Sequence, residues 1–123
     1  MKYGERKPIS KALRQKVYDK YHGHCAYCGC EIEFKDMQCD HLLPVYRPQN
    51  TYKDINNIDN LMPSCRQCNY YKNTFTLERF RQELKTLMER VRKPLIYRLA
   101  SKYGMVKESE WDGKFYFECQ QEI

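Results

Sequence analysis

No apolar stretch in these 123 residues approaches the roughly 18 consecutive positions a membrane-spanning helix needs, and the basic start at residues 1–7 has no apolar segment behind it. Neither a membrane-embedded nor an exported protein is expected; a soluble, cytoplasmic one is. Internal repeats, low-complexity tracts and Gly/Ser linkers are also missing, which points to one continuous domain over 1–123. Apolar character is scarce, with a mean hydropathy of −0.89. A chain this short then buries only a modest core, and some cross-link or ligand is expected to help it fold.

What is present in excess is cysteine and positive charge. Seven cysteines in a chain with no secretion signal argue against a disulfide scaffold, because reducing compartments keep thiols free and an odd number cannot all pair. Metal binding is the leading account. A formal charge of +6 favours a polyanionic partner, since each cation that neutralises a phosphate releases condensed counterions.

The coarse elements follow from caps and periodicity. Ser10 is a good N-cap for a helix to about Tyr21, with Leu13, Val17 and Tyr21 on one face and Gly23 as the stop. Residues 37–45 read as a short strand, 50–60 as an Asn-rich connection, and Leu61-Met62 as a second strand able to close a hairpin. A helix begins near Gln67. Thr76 caps another helix running to Val91, with Phe75 and Phe80 set as a hydrophobic staple. Pro94 starts a further helix that Gly104 ends after Tyr103. Asp112-Gly113 signals a tight hairpin between 106–111 and 114–118, and Phe115, Tyr116 and Phe117 read as core. Of the basic residues, Arg6, Lys7, Lys11, Arg14 and Lys16 form the better candidate patch, because Arg79, Arg81, Lys85, Arg90, Arg92 and Lys93 interleave with acids as a solvated face does.

Cys25-Ala26-Tyr27-Cys28 and Cys65-Arg66-Gln67-Cys68 are two CxxC pairs separated by 36 residues, a spacing that lets four thiolates surround one tetrahedral ion. Four sulfurs fill the shell of Zn2+, so such a site is structural and supplies folding free energy. Iron with the same ligands is the alternative metal. Cys30, Cys39 and Cys119 read as free, partly buried thiols, and His22 and His24 as solvated loop residues.

Between and beside the knuckles stand Asp40-His41-Leu42-Leu43-Pro44, then Asn60-Leu61-Met62-Pro63-Ser64-Cys65, then Cys68-Asn69-Tyr70-Tyr71-Lys72. Taken in that order, residues 22–73 resemble the HNH endonuclease family, many of whose phage and bacterial members frame a ββα-metal core with paired CxxC knuckles. The resemblance implies an α+β fold: a nuclease core over 10–75 stapled by a four-cysteine zinc site, a preceding helix, and a helical and hairpin extension over 76–123. It also implies that His41 is the general base, that Asp40 and Asn69 hold a catalytic divalent cation, and that Asn60 braces the loop carrying the base. Asn69 stands where some members have histidine. This H-N-N form resembles the branch that uses Mg2+ or Mn2+, in keeping with the preference of those ions for oxygen ligands.

The chemistry is coherent on its own terms. Phosphodiester hydrolysis needs a base for water and a cation to absorb charge, and a neutral imidazole takes a proton near physiological pH. If Asp40 and His41 share a strand they point to opposite faces, so a twist or bulge is expected to bring them to one phosphate. Lys72 is the candidate phosphate clamp, and the substrate implied is nucleic acid, most readily DNA. The competing reading is a non-catalytic zinc module that binds nucleic acid; a rubredoxin-like electron carrier would leave Asp40, His41, Asn60 and Asn69 without a role.

Overall fold

A computed structural model describes residues 8–43 and 55–120. Helix α1 (Lys11–Asp19) starts where Ser10 Oγ accepts the Leu13 N–H at 3.1 Å, satisfying one of the donors every helix start leaves open. A short 3-10 turn at Phe34–Asp36 leads into β1 (Gln38–His41), and a second at Ile58–Asn60 leads into β2 (Leu61–Ser64). The two strands pair antiparallel with Cys39 opposite Pro63 and His41 opposite Leu61. Helix α2 (Arg66–Lys72) follows directly, so two strands and one helix form the ββα unit.

Val17, Met37 and Leu61 form a small buried cluster that ties α1 to the strands, with Ile9, Leu13 and Tyr18 packed at its edge. Arg14, expected on a surface basic patch, is used internally: it donates to the carbonyls of Phe34 and Met37 and lies over the Phe34 ring. Lys20 is spent the same way, donating to the carbonyls of Ile58 and Leu61. Lys11 and Lys16 are exposed, while Arg6 and Lys7 lie outside the described residues.

The helix starting at Thr76 begins as read, with Thr76 Oγ1 accepting the Arg79 N–H. It does not run unbroken to Val91. Thr86 turns its hydroxyl back on the Gln82 and Glu83 carbonyls, and the chain divides into α3 (Leu77–Lys85) and α4 (Leu87–Val91). Helix α5 (Leu95–Lys102) is capped by Pro94 and closed at Gly104, whose φ of 75° suits the left-handed turn there.

The C-terminal hairpin expected from Asp112-Gly113 is not formed. The turn itself exists: Asp112 Oδ1 accepts the Lys114 N–H and Gly113 has φ 84°. The ladder fails because the backbone donors that would sustain it are taken elsewhere. Tyr116 N–H donates to the Tyr27 carbonyl and Phe117 N–H to that of Ala26, and the segment then coils into helix α6 (Tyr116–Gln120). Phe115 and Phe117 are buried as read, in one cluster with Cys25, Ala26, Tyr27, Met62 and Phe80. The Phe115 ring stacks with both Phe80 and Phe117, while Tyr27 meets Phe80 and Phe115 edge-on. Arg81 seals this corner, donating to both Glu118 oxygens at 2.7 Å from above the Phe115 ring. Among the described residues no helix is long and apolar enough to cross a membrane.

Candidate active site and metal centre

The first CxxC sits in the tight turns after α1 and the second at the start of α2, where Cys65 is the N-cap and its sulfur accepts the Cys68 N–H. The fold brings Cys25, Cys28, Cys65 and Cys68 together with all four sulfurs within 4.8 Å of one another. Tetrahedral Zn–S bonds of about 2.3 Å place sulfurs about 3.8 Å apart, and Cys28 Sγ and Cys65 Sγ are separated by 3.9 Å. The donor set and spacing fit zinc. Crowding makes the thiols unequal: a hydrogen bond from Cys68 pulls the Cys25 thiol down to about 4, while the same bond and burial push Cys68 up. A bound cation resolves that competition by favouring thiolate at every position.

The three remaining cysteines stay outside the tetrad. Cys30 and Cys119 are exposed, not partly buried as expected, and half-buried Cys39 faces the Arg14 guanidinium. His22 is an exposed loop residue; His24 differs from expectation, being half-buried and stacked on Tyr116.

Asp40 and His41 end β1, and both are buried. Their side chains find separate partners, as alternation along a strand dictates. The ladder from Gln38 to His41 is regular, without the bulge anticipated from sequence. Asp40 Oδ2 accepts the Tyr27 hydroxyl at 2.5 Å and pairs with Lys72 Nζ at 2.9 Å. Burial, reinforced by the Asp40 charge, raises the Tyr27 phenol well above its ordinary range, so it stays a donor. His41 Nε2 lies 2.9 Å from Asn56 Oδ1.

Lys72 is the largest departure from the sequence reading. It has no exposed surface, and besides Asp40 it donates to the His41 carbonyl at 3.1 Å. The expected surface clamp on phosphate is corrected to an internal counter-ion, because α2 packs this face against β1 and places the ammonium under the strand end. Asn69 is half-buried on the same helix, one turn earlier. Asn60 is wholly buried and binds both ends of the 43–55 connection. Its Oδ1 accepts the Leu43 N–H at 2.8 Å, and its Nδ2 donates to the Leu43 and Ile55 carbonyls.

Sequence reasoning missed Tyr27 and Asn56. Tyr27 is an interior position of a CxxC, where no rule expects a polar contact, and Asn56 is one of several asparagines in a stretch that reads as loop.

The HNH endonuclease family model matches residues 25–75. The SPbeta prophage-derived HNH protein YoqL of Bacillus subtilis (strain 168) is 33% identical over 77 residues, covering 57% of this chain and 32% of that protein. The Septu protein PtuB of Bacillus thuringiensis is 42% identical over 65 residues, covering 50% of this chain and 24% of its own length. The chain thus spans about a third and a quarter of these curated relatives. Among solved structures, the Type II-C Cas9 enzyme from Actinomyces naeslundii superposes with a TM-score of 0.51 at 23% identity, over 88% of this chain and 14% of that one. That likeness is one of fold.

Proposed function

Starting from residues 25–75 as an HNH endonuclease match, we propose that the chain hydrolyses phosphodiester bonds in nucleic acid, DNA being the substrate, within the cytoplasm of its host. The observation that carries this is the succession of a buried carboxylate and a buried imidazole at the end of β1, beside a loop gathered in by Asn60. In this reading His41 takes a proton from water. Asp40 and Asn69 would hold Mg2+ or Mn2+, whose chemistry is to stabilise charge on the phosphorane and leaving oxygen. Oxygen donors suit those ions. The four-cysteine zinc is structural, because a shell filled by sulfur leaves no position for water.

One observation favours a second reading. Lys72 already supplies a cation to Asp40, which suits a zinc module that binds nucleic acid without a catalytic ion. Supercoiled plasmid decides between them. The nuclease reading expects nicking that needs Mg2+ or Mn2+ and falls at least ~10²-fold in His41→Ala, the scale of general-base catalysis, with zinc content retained. Salt-sensitive DNA binding with no divalent-dependent nicking would establish the binding module instead.

A further inference from the structure

Asn56 is the polar partner of His41, and the catalytic scheme above gives it no work. Both residues are 7% exposed, and the 2.9 Å contact joins Nε2 to an amide oxygen. An amide oxygen only accepts, so the contact is a hydrogen bond in the form of the ring that carries its hydrogen on Nε2. A neutral imidazole has one such hydrogen. With it on Nε2, the lone pair able to take a proton is on Nδ1.

The backbone on either side of Asn56 is pinned. Ile55 gives its carbonyl to Asn60 Nδ2 at 3.0 Å. Asn57 caps the following 3-10 turn by accepting the Asp59 N–H at 2.9 Å. The His41 side of the contact is held by the same residue, since Leu42 N–H donates to the Asn60 carbonyl and Leu43 N–H to its side chain. Asn60 therefore fixes two chain segments whose side chains meet 15 positions apart in sequence. An acceptor set this firmly at one nitrogen selects a tautomer.

We propose that Asn56 is a positioning residue, whose side-chain carbonyl holds His41 as the Nε2–H tautomer and leaves Nδ1 as the basic atom. The proposal rests on the nuclease reading for its catalytic meaning. In the step it serves, a water O–H bond breaks, the proton passes to Nδ1, and the water oxygen bonds phosphorus. The P–O bond to the leaving oxygen breaks, and that oxygen takes a proton from solvent. His41 Nε2–H keeps donating to Asn56 Oδ1 throughout, and the Asn56 amide dipole faces the imidazolium that forms.

The test begins on the zinc-loaded chain with 15N-labelled histidine, using long-range proton–nitrogen correlations of the neutral rings. His41→Ala identifies the His41 signals among the three histidines. The expected wild-type spectrum has a protonated Nε2 and a bare Nδ1; an Nδ1–H ring or an even mixture overturns the proposal. Asn56→Ala is expected to mix the tautomers and lower kcat about 10- to 100-fold at constant KM, the loss of one hydrogen bond to a group that becomes charged. Asn56→Asp, which keeps an acceptor, is expected to keep the wild-type tautomer. Asn56→Ala with wild-type spectrum and kcat also overturns it, and if that variant does not fold the wild-type and Asn56→Asp spectra decide. The spectra need no turnover. An inactive chain with His41 as Nε2–H sinks the nuclease reading and leaves the positioning role standing, whereas an active chain with the other tautomer does the reverse.

Discussion

Replacing Lys72 by methionine keeps most of the side-chain volume while removing the ammonium from a position with no exposed surface. The Asp40 carboxylate, itself 5% exposed, then keeps the Tyr27 hydroxyl but has lost its counter-ion. Breaking a buried pair from one side costs about 3–5 kcal/mol, because a desolvated charge is left behind. For a domain of this size a kcal/mol moves Tm by about 3–4 °C. The zinc-loaded Lys72→Met protein is therefore expected to melt about 10–20 °C below wild type by circular dichroism. Two further arms locate the cause. Removing both charges in Lys72→Met/Asp40→Leu is expected to recover most of the loss. If Asp40 binds a divalent ion, Mg2+ at 100 times its Kd is expected to return about 2.7 kcal/mol to Lys72→Met through mass action. A Tm within about 3 °C of wild type for Lys72→Met would refute the buried-pair argument. The same geometry changes what Asp40→Ala reports, since it strands a buried lysine and its lost activity cannot be assigned to metal binding alone.

Cys68→Ser is expected to lose zinc and cooperative unfolding together, measured by metal analysis and calorimetry, because the binding free energy of such a site is folding free energy; a folded, zinc-free variant would refute it. At the other end of the core, the Arg81 hydrogen bonds hold the Glu118 carboxyl below its ordinary range. A depressed folded value means stability that is present above the unfolded pKa of about 4.3 and lost as pH falls through the folded one. The Tm gap between wild type and Glu118→Gln is accordingly expected to be open at pH 7 and to close below about pH 4; a gap independent of pH would show that Arg81–Glu118 adds nothing electrostatic.

Local signals were readable from sequence because their physics is local. Ser10 and Thr76 cap the helices they announce, and the CxxC pairs converge because a tight turn and a helix start each present two sulfurs to the same side. The second strand closes on the first as the apolar pair Leu61-Met62 suggested. What failed was whatever depended on a distant partner. Asp112-Gly113 makes its turn, yet a ladder requires free donors on both arms, and those of Tyr116 and Phe117 belong to residues 27 and 26. Lys72 read as a surface clamp on phosphate because a lysine three residues after Asn69 carries no mark of which helix face is covered. The same holds for the Asn56–His41 contact, formed across a connection whose course no short-range rule specifies. Residues 44–54, which include part of the predicted first strand and of the Asn-rich stretch, lie outside the described residues.

The backbone bonds from Tyr116 and Phe117 to the first knuckle carry a consequence for how the molecule comes into being. Synthesis runs from the N-terminal side, so both CxxC pairs, Asp40, His41 and Asn69 leave the ribosome while the rings that complete their core are still unmade. Until Phe115 and Phe117 arrive, Phe80 lacks its stacking partner and Tyr27 two of its edge-on neighbours, and Tyr27 is the residue that hands its hydroxyl to Asp40. A nascent chain stalled before residue 115 would hold Asp40 and its partners Tyr27 and Lys72 while the Tyr27 ring still lacked part of its packing. Chain order alone thus separates the making of residues 25–72 from the completion of the core they pack on.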